Sequence, residues 1–164
     1  MELLGIVDED FINYKKISMT LEFPKCSFKC DIEAGCEICQ NSRLASIDAK
    51  NYNPNSIIES YLNNKITEAV CIQGLEPFDS FNDLLSFIAL LRSKCEDDIV
   101  IYTGYYEHEL VYELTQLKQF SNIVIKFGRF IPDDEKHFDP LLGINLASSN
   151  QYARYLKDIN TDKL

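Results

Sequence analysis

The chain is short of positive charge. Its 16 Lys and Arg stand against 26 Asp and Glu, a formal net charge of −10 at pH 7. A surface that grips phosphates needs clustered cations, so this balance argues against a nucleic-acid partner. Long apolar runs are also missing, which argues against a membrane span. No low-complexity segment, internal repeat or Gly/Pro-rich linker divides the 164 residues, so one domain over 1–164 is expected. That length is too small for a full eight-stranded β/α barrel, which takes about 250 residues. The opening Met1-Glu2-Leu3-Leu4 is acidic and lacks the basic region of a secretory leader, so a cytoplasmic setting with reduced thiols is expected. The sequence offers no Ser/His/Asp nucleophile set and no evident general base. Of the two histidines, His108 falls on an exposed helical position and His137 in a polar loop, and neither is expected to be a ligand.

Cysteine is present and concentrated. Four of six fall between Pro24 and Asn41: Cys26, Cys30, Cys36 and Cys39. The cluster follows an alternating run, Ile17 to Phe23, that reads as a strand. A cysteine-dense loop at the carboxyl end of a first strand is where an α/β protein builds a site. Reduced thiols make metal a better reading than disulfides. A zinc module held by all four cysteines is one alternative, although only Cys36 and Cys39 have knuckle spacing. An iron–sulfur cluster is the other, since soft thiolates suit it.

Cys26-x3-Cys30 with a later cysteine resembles the opening of the radical S-adenosylmethionine enzymes, whose usual pattern is C-x3-C-x2-C. The resemblance implies a [4Fe–4S] cluster held by three thiolates, with the fourth iron chelated by S-adenosylmethionine. Glu33 stands where the third cysteine is usual, so Cys36 or Cys39 must supply it. Cys39 is favoured, because Ile38 precedes it where the family often places an apolar residue against adenine, and because Cys39-Gln40-Asn41 matches a Cys-x-Asn ending. Asp31 to Ile38 then reads as an inserted bulge.

The rest of the chain alternates strands and helices. Asn53-Pro54 reads as a helix start with Ile57, Ile58, Tyr61 and Leu62 on its buried face. Ala69 to Ile72 is a strand followed by Gly74-Leu75-Glu76-Pro77, similar to the Gly-Gly-Glu-Pro segment of the same family. There the backbone and a carboxylate meet the ligand's amino group, roles that fall to Gly74 and Glu76. Ser80-x-x-Asp83 resembles a capping box before a helix with Leu84, Leu85, Ile88 and Leu91 inward. Ile99 to Tyr102 is a strand ending in Thr103-Gly104, where the Thr103 hydroxyl is expected to bond the ligand. Glu107 and Glu109 open the next helix, and Ile123 to Phe127 is a further strand. Tyr152 to Asp158 reads as a final helix. Cys71 and Cys95 need no role beyond packing.

Tyr102-Thr103-Gly104-Tyr105, Gly128-Arg129-Phe130 and Ala147-Ser148-Ser149-Asn150-Gln151 resemble, in order, segments of one subgroup, the activases of anaerobic class III ribonucleotide reductase. The resemblance implies an α/β fold, a partial parallel β/α barrel of the radical S-adenosylmethionine type. It implies reductive cleavage of S-adenosylmethionine to a 5′-deoxyadenosyl radical, which takes hydrogen from a backbone glycine of the reductase's glycyl-radical subunit. A low-potential flavodoxin- or ferredoxin-like donor would supply the electron. The alternatives are an activase of a formate-lyase-like partner, a non-enzymatic zinc protein using all four clustered cysteines, and an electron-transfer iron–sulfur protein.

Overall fold

The computed structural model describes residues 1–164. In chain order its elements are β1 (Glu2–Leu3), β2 (Gly5–Asp10), β3 (Ser18–Phe23), α1 (Lys29–Ala34), β4 (Lys50–Asn51), α2 (Pro54–Asn63) and β5 (Ala69–Gly74). There follow α3 (Phe81–Arg92), β6 (Asp98–Tyr102), α4 (Val111–Leu117), β7 (Ile123–Phe127), β8 (His137–Asp139), β9 (Ile144–Leu146) and β10 (Tyr152–Tyr155). Six strands form one mixed sheet in the order β10-β7-β6-β5-β3-β2. Its centre, β3-β5-β6-β7, is parallel, and β2 and β10 flank it antiparallel. α2, α3 and α4 supply the connections between the parallel strands, as the sequence alternation required.

The two-residue period of a strand gives this sheet two unlike faces. Met19, Leu21, Val70, Ile72, Ile99, Ile101, Ile123 and Ile125 share one apolar core with Ile57, Leu84, Ile88 and Leu114 of the helices. The other face is smaller: Ala69, Cys71, Val100 and Val124 pack against Tyr14, Leu142 and Leu146. Towards the carboxyl ends of the parallel strands this second face turns polar. Glu22 lies opposite Gln73, and Tyr102 opposite Lys126, so one polar residue from each strand forms a row across the sheet.

Several expectations are corrected. Tyr152–Tyr155 is a strand, not a helix, because it pairs with β7 in the register Tyr152 to Phe127 and Arg154 to Ile125, with the Tyr152 and Phe127 rings 5.6 Å apart. His137 lies in strand β8 rather than a loop. β2 ends at Asp10, whose buried carboxylate accepts from Thr20 Oγ1. On the polar face of β3, Ser18 and Thr20 are fully buried and Glu22 is partly so. Asn53 does cap α2 through Asn55 N, but Leu62 is exposed. Ser80 makes no capping bond; Phe87 joins Leu84, Ile88 and Leu91 as the fourth inward side chain of α3, while Leu85 is only partly buried. Glu107 and Glu109 sit in a short 3-10 turn and serve in ion pairs with Arg154 and Arg129.

Candidate functional site

Strand β3 delivers the chain directly into the cysteine loop. Phe28, between Cys26 and Cys30, is held at φ 50°, a left-handed conformation uncommon for a bulky residue. Its N–H donates to Cys26 Sγ at 3.2 Å. Strain of this kind persists where surrounding structure enforces it, and it gathers at functional sites. Cys30 then lies in the first turn of α1, which ends at Gly35 with φ 68°.

The segment expected as a bulge is therefore a helix and a return. Asp31 closes it: its Oδ1 accepts from both Ile38 N and Cys39 N at 2.8 Å. That fold-back carries Cys39 into the company of Cys26 and Cys30, and these three thiols line one cavity of about 500 Å³. Cys36 is exposed and does not line it. Ile38, expected beside a ligand ring, is also outside the lining. Burial pushes the Cys26 thiol up to about 12, with the Glu76 and Asp79 carboxylates adding to it. Burial raises Cys39 as well. A coordinating metal reverses this, because a bound thiol is deprotonated.

Gly74, at the end of β5, has φ 105°, and an added Cβ would lie 2.5 Å from Phe23 N and 2.7 Å from Phe23 O. Only glycine lets β3 and β5 stay this close. Asn41 Nδ2 donates to the Gly74 carbonyl at 3.1 Å, tying the cysteine loop to the strand end. Glu76 is buried and accepts three bonds: Phe78 N at 3.2 Å, Thr103 Oγ1 at 2.8 Å and Gly104 N at 2.9 Å. Burial still outweighs those bonds and raises its carboxyl to about 7. Thr103, expected to bond a ligand, spends its hydrogen on Glu76 and so orients that carboxylate.

The sequence reading missed Lys126. It is buried on the cavity side of β7, its ammonium donates to the Gly128 carbonyl at 2.9 Å, and burial lowers it to about 8. Glu22, Gln73 and Tyr102 line the same cavity from the neighbouring strands. The signal was available: each is a polar or amphipathic residue on the minor face, one place from the end of its strand or at it. Asp31 left no comparable trace, and Arg129 stood only within a resembling segment, since the partners of both are set by tertiary structure.

No three Cys, His, Asp or Glu side chains converge closely enough to hold a single metal ion. The thiols are instead distributed around a cavity, as a cluster with several metal corners requires, and soft sulfur donors without histidine suit iron–sulfur chemistry. The donor set therefore fits such a cluster, and Cys26, Cys30 and Cys39 are the residues placed where they could hold it.

Fold and site together define an α/β protein with a thiol-lined cavity at the carboxyl edge of a parallel sheet. The 4Fe-4S single cluster domain family matches residues 17–152, most of the chain, and the protein belongs to it. That family is found in iron–sulfur proteins of the radical S-adenosylmethionine type. No curated protein and no solved structure matches the chain. No helix is long and apolar enough to cross a membrane.

Proposed function

We propose that this 4Fe–4S protein is a radical S-adenosylmethionine activase that acts on the glycyl-radical subunit of a class III ribonucleotide reductase, on the scaffold of a partial β/α barrel. One observation carries the reading: three thiols, not four, share a cavity with Glu76, Gly104 and Lys126 at the ends of the parallel strands. Three protein ligands leave one coordination position for a substrate, as in other catalytic metal sites. When bound, the reduced cluster and S-adenosylmethionine supply a one-electron cleavage of the sulfonium C–S bond.

The chain's own residues supply ligation and orientation. Cys26, Cys30 and Cys39 hold the metal group. Glu76 Oε2, which accepts only the Gly104 N–H, keeps acceptor capacity for the ligand's ammonium. Lys126 uses one of its hydrogens on Gly128 and offers the others to an anionic group such as a carboxylate. Gly74 lets the ends of β3 and β5 lie together, since a Cβ there would strike the Phe23 backbone, and so sets the strand edge on which the ligand would rest. The electron donor is proposed to be a low-potential flavodoxin- or ferredoxin-like protein.

The test is anaerobic reconstitution with iron and sulfide, then addition of S-adenosylmethionine and a strong reductant. Methionine and 5′-deoxyadenosine should form, and the paramagnetic spectrum of the reduced cluster should change on adding S-adenosylmethionine. A reconstituted cluster whose spectrum ignores the ligand, with no 5′-deoxyadenosine formed, overturns the proposal. Addition of the reductase subunit should then yield a glycyl radical signal; its absence with an active cluster refutes the partner alone.

A further inference from the structure

From residue 24 to residue 56 no side chain is buried, and α1 contributes nothing to either apolar core. Packing therefore does not fix the helix that carries Cys30. Charge does. Arg129, in the loop after β7, is 3% exposed. Its two terminal nitrogens fork onto Glu109 at 2.8 and 2.7 Å. Nη2 also reaches Glu33 Oε1 at 3.0 Å. Glu109 in turn accepts Lys29 Nζ at 3.0 Å. Lys29 and Glu33 flank Cys30 on α1, so both of the helix's long charged arms end on one Arg–Glu pair.

That pair is itself fastened. Arg129 Nη1 donates to the Gly104 carbonyl at 3.3 Å, and the guanidinium lies 4.9 Å over the Tyr106 ring. Asn150 Nδ2 donates to both the Arg129 carbonyl and the Tyr106 hydroxyl at 2.9 Å. A Cβ placed on Gly104 would lie 3.6 Å from Cys30 Sγ and 4.0 Å from Arg129 Cγ, so the sulfur and the arginine stem meet across this glycine.

We propose that Arg129 is a positioning residue for the cluster: with Glu109 it forms an ionic clasp that holds Lys29 and Glu33, and thereby seats the Cys30 thiol at the cavity. The inference rests on Cys30 being a cluster ligand. If the Arg129–Glu109 pair served only to fasten the loop after β7 to the 107–109 turn, Glu33 would have no part in it.

The experiment compares wild type, Glu33→Gln, Arg129→Lys and Arg129→Met by two readouts. The first is amide hydrogen exchange on the metal-free chain, in α1 and separately in β5, β6 and β7. The second is the rate of iron release from reconstituted protein to a ferrous chelator. Glu33 is exposed, so Glu33→Gln should speed α1 exchange by about 3- to 5-fold. Arg129→Met leaves Glu109 with only Lys29 and the Tyr106 N–H and should speed it by more than about tenfold. Arg129→Lys should recover part of the loss. Exchange in β5–β7 should not change, and iron release should follow the order of α1 exchange.

The proposal is overturned if Glu33→Gln leaves α1 exchange at the wild-type rate, if strand exchange rises in step with α1, or if iron release ignores a loosened α1. Should Arg129→Met fail to fold, Glu33→Gln decides alone. If wild type takes up no iron, the cluster reading fails on its own terms, and with it Cys30 has no thiol role to position; α1 exchange then reports only whether the clasp exists.

Discussion

Gly74→Ala tests the seam on which the site is built. The new Cβ would meet backbone atoms of the neighbouring strand: Phe23 N at 2.5 Å, Phe23 O at 2.7 Å and the Glu22 carbonyl carbon at 2.9 Å. None of these can rotate away as a side chain would. Relief requires β3 and β5 to part by roughly 1 Å at their ends, in a core packed like a crystal. Overpacking of this kind costs about 1–3 kcal/mol. Placing a Cβ at φ 105° adds about 1–2 kcal/mol. The separation also strains the Leu75 N–H bond to the Phe23 carbonyl at 3.0 Å and the Asn41 bond to Gly74. A destabilisation of about 2–5 kcal/mol lowers the melting temperature of a domain of this size by about 4–20 °C. The assay is thermal unfolding of metal-free protein by circular dichroism, with Gly35→Ala as control. Gly35 also has positive φ, but nothing lies within 4 Å of its added Cβ, so that variant carries only the conformational cost. Since β3 runs into Cys26, iron uptake by Gly74→Ala should fall too. A melting temperature within about 2 °C of wild type, or equal to that of Gly35→Ala, would refute the reasoning.

Three further outcomes are expected. Cys39→Ala should abolish iron and sulfide retention while Cys36→Ala retains both, because only Cys39 lines the cavity; metal analysis after anaerobic reconstitution decides, and the reverse pattern overturns the ligand assignment. Glu76→Gln should weaken S-adenosylmethionine binding with the cluster still formed, since an amide cannot accept from both Gly104 N and Thr103 Oγ1 with its two ends; unchanged affinity by calorimetry removes the residue from the site. The Arg129 guanidinium holds the Glu109 carboxyl down at about 2, below its ordinary 4.5. A depressed carboxyl contributes stability that is present above pH 4.5 and is lost as pH falls towards 2. Exchange protection of α1 should decay across that window in wild type and decay less steeply in Glu109→Gln, where only the Glu33 and Asp31 carboxylates remain to respond.

Much of this was legible in the residues. Alternation in Met19, Leu21 and Phe23, and apolar runs such as Ile99-Val100-Ile101, mark the parallel strands because one face is wholly buried under helices. Gly74 and Glu76 stood out through their likeness to a family segment, and the close approach of Phe23 is the physical reason for that glycine. The nearness of Cys39 rather than Cys36 was an expectation from pattern, and its physical cause, the Asp31 carboxylate capping two amides seven and eight residues on, was not visible. Tyr152 to Tyr155 misled because Ala-Arg-Tyr-Leu has good helical propensity, and pairing with β7 overrides it. The clasp was illegible for a different reason: Lys29 and Glu109 are 80 residues apart, and no local pattern links them.

Residues 24–51 run from the end of β3 to the short strand β4 without placing a side chain in either core. Such a span has no complementary surface to keep in step with. Residues can be gained or lost between Gly35 and Ile38 without unseating any buried neighbour, provided a carboxylate still catches the returning amides. The count of residues between the second and third thiols is thus free to drift, while the shape they enclose stays the same.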